Sequence, residues 1–500
     1  MRFFILLLFT TSLFSCATNQ RIYNPNKKYS PSALKEDYTL LRNVLEKKHP
    51  SLYWYTPKDS MNFYFDSLYS TIKDSMTELQ FGWKVLAPLT NKIHCGHTSF
   101  GMSKGWNKFY KEVRIPSFPL YMKIWSDTMV VVANLNRKDS IIKRGTLITS
   151  INGERNQQLL QKIFTYLPTD GYADNVNYVR LSSNFPYYHR NIFGLYQNYR
   201  VGYIDSTGKE KLKFVSMFIP EIDTTKKNKK DPEQKISKKQ LKRDKVLSYR
   251  SMSIDTAANT ATIILNTFTK NEGKHLRTFF RRSFKKIRKE KIKNIILDIR
   301  GNGGGDIGMY ILLTKYLRKE PFKVADTSYA IAKSLKPYGS VFKQRFSNTM
   351  GLFFLTKKKR DGNYHFGYWE RHFFKPKTRN HFDGDLYVLT NGPTFSASTL
   401  LCNALKGQDN VKLVGEETGG SAYGNSGIFI PDIVLKNTKL RVRVPLFRLV
   451  QFNHGVKNGR GIMPDIYIPP SVEAVVKGID RKMVIVKEII ADKNKVVTAE

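Results

Sequence analysis

The hydrophobic positions of this chain fall into three regimes. Between Ser32 and about Leu89, Leu34, Tyr38, Leu41, Val44 and Leu45 recur at mostly three- and four-residue steps, which predicts a helix closed by Pro50. A second helix is predicted over 61–72. A third is predicted over 77–87, opened by the capping-box-like Thr77-Glu78-Leu79-Gln80 and stopped by Pro88. From about Ile115 to Glu221 apolar residues alternate as in short strands, for example over 120–124 and 129–133. A strand and turn over 143–153 and a short helix over 157–164 follow. From Thr260 onward strand and helix take turns, with strands over 262–268, 294–299, 386–390 and 411–415 and helices over 308–317 and 396–405. A basic helix within 274–293 carries Leu276, Phe279, Phe280, Phe284 and Ile287 on one face. That order predicts an α/β domain with crossover connections.

The start of the chain reads as an address. Arg2 precedes an apolar run from Phe3 to Leu8, too short for a bilayer of ~30 Å and suited to a secretory signal over 1–16. Leu13-Phe14-Ser15-Cys16 resembles a bacterial lipobox, which makes Cys16 a candidate for lipidation and 17–31 a polar tether. A plain secretory signal with an incidental cysteine is the alternative. Cys95 and Cys402 then remain as thiols, and Cys402 lies in an apolar helical stretch as a small core residue.

Composition narrows the function class. With 500 residues, 41% hydrophobic, and only three cysteines, the chain is neither disordered nor a disulfide-stapled mini-fold. Its 83 Lys+Arg against 41 Asp+Glu give a net charge of +42, which favours encounters with anionic partners. No helix-turn-helix, RNP-like aromatic set or zinc finger accompanies that charge, so specific nucleic-acid binding is not expected. The lysine-dense stretch within 223–250 reads as a solvated insertion or linker, or as a docking surface for an anionic partner.

Three segments carry candidate chemistry. DIRGNGGGD, from Asp298 to Asp306, follows a buried-looking strand, and its glycines let backbone N–H groups converge on an anion or oxyanion. It lacks the order of a phosphate-binding loop. TNGPTFSAST, from Thr390 to Thr399, joins a strand end to a helix start. Thr394 or Ser396 is a natural N-cap there, yet a nucleophile at the same position gains from the helix dipole. HCGHT, from His94 to Thr98, offers two histidines at i, i+3 that suit the start of a zinc site, but no matching ligand cluster follows elsewhere, and surface-loop histidines are the alternative.

Together these segments resemble the serine peptidases that include the tail-specific (C-terminal processing) proteases and the tricorn-like core. KIHCGHTSF is similar to the family's I-x-D-G-H-T-x-F, NIILDIRGNGGGD to its N-x-I-x-D-x-R-x-N-x-G-G, and LTNGPTFSASTLL to its nucleophile segment. LVGEETGG and GRGIMPDIYI match the two elements that follow. RGTLITSINGE resembles the core of a PDZ module. The resemblance implies an α/β fold: a crotonase-like catalytic domain over 251–500, an N-terminal helical domain over 32–105 and a PDZ-like insert over 106–222.

The resemblance also implies an exported, cell-envelope serine endopeptidase acting on polypeptides through an acyl-enzyme, with no metal or organic cofactor. It places the nucleophile at Ser396 and the oxyanion hole at the N–H of Ala397 and one from Gly303 or Gly304. Processing proteases use a lysine shortly after the threonine of G-E-x-T. Here Ser421 stands at that place, which puts the chain in the Ser–His branch with His97 as base. Imidazole suits proton transfer near neutrality. Two departures follow: Cys95 replaces the aspartate usual before Gly-His-Thr, and the acid that orients the base has no clear counterpart, leaving Glu416, or its neighbour Glu417, as the candidate. An inactive peptide- or ligand-binding protein on the same scaffold is the alternative function.

Overall fold

The computed structural model describes residues 23–220, 237–452 and 456–499. The signal, Cys16 and the first half of the lysine-dense stretch lie outside them. Among the described residues, no helix is long and apolar enough to cross a membrane.

A six-stranded sheet forms the centre, in the order Arg250–Asp255, Thr260–Leu265, Asn294–Asp298, Asp385–Thr390, Val411–Gly415 and Ile466–Tyr467. The first pair is antiparallel and the rest are parallel. Its middle strands read as continuous apolar runs because both faces are covered. Ile295, Leu297, Leu386 and Val388 point into one large core, whereas Ile296, Tyr387, Leu389 and Val414 point into a second. The period of two thus divides each strand between two layers. The C-terminal helix Arg481–Ala499 closes the second layer through Val486 and Ile490. The basic helix Leu276–Lys289 seals the first with Leu276, Phe280, Phe284 and Ile287, leaving its charges in solvent.

The N-terminal helices are not a separate body. Leu34, Tyr38, Leu41, Val44 and Leu45 of the Pro31–Lys48 helix belong to the same core as the central sheet. The capping box forms as expected, Gln80 N–H donating to Thr77 Oγ1 and Thr77 N–H to Gln80 Oε1. Pro88 does not stop that helix. A wide π turn at Gly82–Leu86 restarts it as Ala87–Lys92, and Pro88 falls in the new first turn, where a missing N–H costs nothing.

Residues 117–218 make a second unit with its own core. Its antiparallel strands run in the order Leu120–Trp125, Thr128–Asn134, Leu147–Ile151, Asn198–Ile204 and Glu210–Ser216, and a Ser117–Phe218 bridge joins its entry to its exit. The Asn156–Phe164 and Asn175–Phe193 helices flank the loop at 165–174. Beyond the predicted elements, a five-stranded antiparallel sheet contains Ala325–Ala330, Phe447–Gln451 and Gly424–Ile428. Of the lysine-dense stretch, Lys238–Tyr249 is a helix with no buried residue.

Candidate active site

Two turns at the ends of neighbouring parallel strands build the first half of the site. After Asn294–Asp298, the Asn302 side chain reaches back, its amide donating to Leu265 O at 3.0 Å while its Oδ1 accepts the Gly304 N–H at 3.0 Å. Gly304 holds φ +94, and a Cβ there would stand 2.8 Å from Ser396 Cβ and 2.9 Å from Ala397 N. Only glycine fits so close to the second turn. Gly304's N–H is committed to Asn302, whereas a side chain at Gly303 would project into open space.

The second turn follows Asp385–Thr390. Thr394 is its brace: Oγ1 donates to Ile299 O and accepts the Asn391 N–H, both at 3.1 Å. Phe395 N–H donates to Asn302 O at 3.1 Å, tying the turns together. Ser396 then stands at the N-cap position of Ala397–Leu405 with φ 56 and ψ −121, and its side chain caps nothing. A non-glycine residue in that region costs about 1–3 kcal/mol, a cost that a simple N-cap would not need. The N–H of Ala397, at the helix's first position, is among those a helix leaves unsatisfied.

The second half comes from elsewhere. Phe100–Gly101 pairs with Arg441–Arg443, and Arg443 N–H donates to Ser99 O at 2.9 Å, which docks the 94–98 loop on the catalytic part. His49, from the end of the first helix, accepts the Ser51 N–H at Nδ1, so its Nε2–H donates to Thr98 Oγ1 at 2.7 Å. Burial pushes the His49 imidazole down to about 3, so it stays neutral. His97 is 6% exposed and lies on the Phe395 ring, centroids 4.7 Å apart. Gly96 has no room for a Cβ, which would stand 2.7 Å from the Phe395 ring.

A Cβ built on Gly427 would be 3.1 Å from His97 Nε2 and 3.1 Å from Ser396 Oγ. The bare backbone of Gly427 therefore borders both the expected base and the expected nucleophile.

The carboxylate beside His97 is Asp170, from the loop at 165–174. Its Oδ1 lies 3.5 Å from His97 Nδ1 and accepts the Gly96 N–H at 2.7 Å. Asp170 Oδ2 and both His97 nitrogens have no hydrogen-bond partner, although they are buried. The loop is pinned on two sides: Gly171 N–H donates to His94 O at 2.9 Å, and Tyr172 N–H to Gly459 O at 2.7 Å. Glu416, expected to orient the base, is instead ion-paired with Lys482. Glu417 accepts from the Gly461 N–H at 2.7 Å and pairs with Arg460. Both acids follow the Val411–Gly415 strand and find their partners in later segments, Lys482 for Glu416 and Arg460 with Gly461 for Glu417. Asp170 carried no signal beyond a Thr-Asp-Gly turn, and Gly427 none beyond a glycine in a strand.

The remaining expectations resolve individually. His94 and His97 do not converge, since the His94 ring meets Gly171 O and packs on Tyr172. Ser421 is buried, with Oγ 3.2 Å from Tyr55 OH. Cys402 is fully buried, and burial with the Asp170 charge pushes the Cys95 thiol up to about 12.

Residues 259–468 match the model of peptidase family S41. That span includes both turns and Gly427 but neither His97 nor Asp170. Among solved structures, the chain is similar to mature CPAF complexed with lactacystin, at 13% identity and TM-score 0.60 over 92% of this chain and 98% of that one. It is likewise similar to mature CPAF, at 14% identity and TM-score 0.59 over 92% and 97%. These two likenesses concern the fold. No curated protein matches the chain. With its glycine turn and strained serine inside the matched span, residues 259–468 form a peptidase family S41 domain, and the chain is a serine-type peptidase.

Proposed function

We propose that this peptidase hydrolyses polypeptides through an acyl-enzyme on Ser396. His97 Nε2 takes the Ser396 proton as Oγ attacks the scissile carbonyl, then delivers it to the leaving amine, and a water repeats the sequence to free the acid. The Ala397 and Gly303 N–H groups receive the oxyanion, each worth roughly 2.7–4 kcal/mol in such sites. Asp170 holds His97 in the tautomer with its proton on Nδ1, and catalytic hydrogen bonds of this kind often shorten only once substrate is bound. The observation that carries the reading is the placing of Ser396 Oγ and His97 Nε2 around Gly427, with the serine held in a conformation that serves no cap.

Intact-protein mass spectrometry after fluorophosphonate treatment tests it. One adduct is expected on wild type and none on Ser396→Ala or His97→Ala. A folded wild type that takes no adduct would overturn the acyl-enzyme reading.

We further infer that 117–218 acts as a PDZ-like module that captures a polypeptide end by strand addition, and that the catalytic part is crotonase-like. The supports are the separate core and the antiparallel sheet. Export and lipid anchoring at Cys16 in the cell envelope rest on the sequence of 1–16 alone. Intact mass of envelope-extracted protein, with and without a Cys16→Ala change, checks the anchor.

A further inference from the structure

The Cys95 thiol beside the base has no part in hydrolysis. Donor atoms of Cys95, His97 and Asp170 lie within 4.8 Å of one another, and all three residues are buried. Two of the three bring unused capacity, since both His97 nitrogens and Asp170 Oδ2 lack a hydrogen-bond partner. The nearby, half-buried Arg180 does not occupy the carboxylate. Its guanidinium donates to Pro168 O and Asn177 Oδ1, at 2.6 and 2.8 Å.

One sulfur, one imidazole nitrogen and one carboxylate oxygen form a borderline-soft donor set. Such a set suits zinc and its neighbours, whereas calcium and magnesium take oxygen-only shells. Metal–ligand bonds of about 2.0–2.3 Å in a tetrahedron set ligand atoms about 3.3–3.8 Å apart. The His97 Nδ1 to Asp170 Oδ1 separation of 3.5 Å already meets that edge. The longest separation, at most 4.8 Å, closes with about 1 Å of side-chain movement.

We propose that Cys95, His97 Nδ1 and Asp170 form an inhibitory site for a zinc-class divalent cation, with water in the fourth position. On binding, the Cys95 Sγ–H bond breaks and its proton goes to solvent. The sulfur's electron pair, the imidazole lone pair and a carboxylate oxygen bind the metal, and nothing is oxidised or reduced. A neutral imidazole metallated at Nδ1 keeps its proton on Nε2, so that nitrogen no longer accepts one from Ser396. The metal also takes the carboxylate that orients the ring. Inhibition thus rests on the function proposed above, but binding does not.

Chelator-stripped, full-length Ser396→Ala protein, titrated with Co2+, tests binding without activity. One equivalent is expected to produce a near-ultraviolet thiolate-to-cobalt band that Zn2+ displaces and that is missing from Ser396→Ala/Cys95→Ala. In the active enzyme, Cys95→Ala is expected to keep turnover while the Zn2+ concentration for half-inhibition rises at least tenfold. Cys95→Ser serves the same comparison if the alanine variant is unstable. Equal zinc sensitivity with and without Cys95, or no thiolate band, would overturn the site. A band in the Ser396→Ala protein together with a wild type that shows no hydrolysis would instead uphold binding and refute the proposed catalysis.

Discussion

The two halves of the site are built by different means. The half that holds the proposed nucleophile is local: two turns at the ends of Asn294–Asp298 and Asp385–Thr390, cross-tied by Phe395 N–H to Asn302 O and by Thr394 Oγ1 to Ile299 O. Parallel strands with both faces buried fix where those turns emerge. The base half is assembled from His49, the 94–98 loop and Asp170, which belong to the helical layer and to the separately cored insert. A serine elbow of this kind forms whenever the central sheet folds. Within the proposed base half only Asp170 comes from the insert, so a change in how the insert packs can alter the base without changing the central fold.

Ser396→Ala is expected to have the largest effect on catalysis, lowering kcat on a peptide substrate by at least ~10^4-fold with the melting temperature little changed. A variant within tenfold of wild type would remove the local half of the comparison.

Asp170→Asn sharpens the other half. Loss of the anion that selects the His97 tautomer is expected to cost about 10^2–10^4-fold in kcat with little change in KM. Glu416→Gln should do the reverse. It leaves the Lys482 ammonium, 11% exposed, without its carboxylate, so stability falls by about 3–5 kcal/mol while kcat stays within a few-fold. Parallel activity and urea-melt measurements decide between them. If Glu416→Gln is the inactive variant, Asp170 is not the orienting acid.

The proposed exchange of Glu416 for Asp170 shows what the residue string carries. The strands over 294–298 and 411–415, the Pro31–Lys48 helix and the glycine and serine turns were legible because each is a contiguous pattern whose physics is local. Asp170 was not, because a Thr-Asp-Gly turn has the same composition whether it faces solvent or a histidine. Its role comes from Gly171 lying against His94 and Gly459, contacts made only after two units pack. Glu416 sits in a recognisable element, yet strand direction sends its side chain to Lys482. Pro88 misled for a related reason, since a π turn shifts a proline from a helix interior to a first turn.

Gly427→Ala tests the border between the halves. The new methyl would stand 3.1 Å from both Nε2 and Oγ, so one of them has to move. A displacement of that order is expected to lower kcat by about 10–10^2-fold at nearly constant stability. An unchanged kcat would mean that the two side chains meet away from Gly427.

The smallest effect concerns acid. His49 and His189 are buried and held down to about 3 and about 4, chiefly by desolvation. Unfolded, each takes a proton near ~6.5. Between those values the unfolded chain binds more protons than the folded one, so both residues' contributions fade as pH drops from ~6.5 and are constant above it. Thermal melts from pH 4 to 7 should therefore show a falling acid limb that either His49→Gln or His189→Phe makes shallower. Activity at pH 7 should separate the pair. His49 donates to Thr98 in the base loop, so His49→Gln is expected to lower kcat several-fold, whereas His189 is stacked on Phe118 within the insert's own core. A phenylalanine there keeps the stack and should leave kcat unchanged. Equal kcat losses from both would mean that the insert's core, and not the small set of bonds around the 94–98 loop, governs how the base is held.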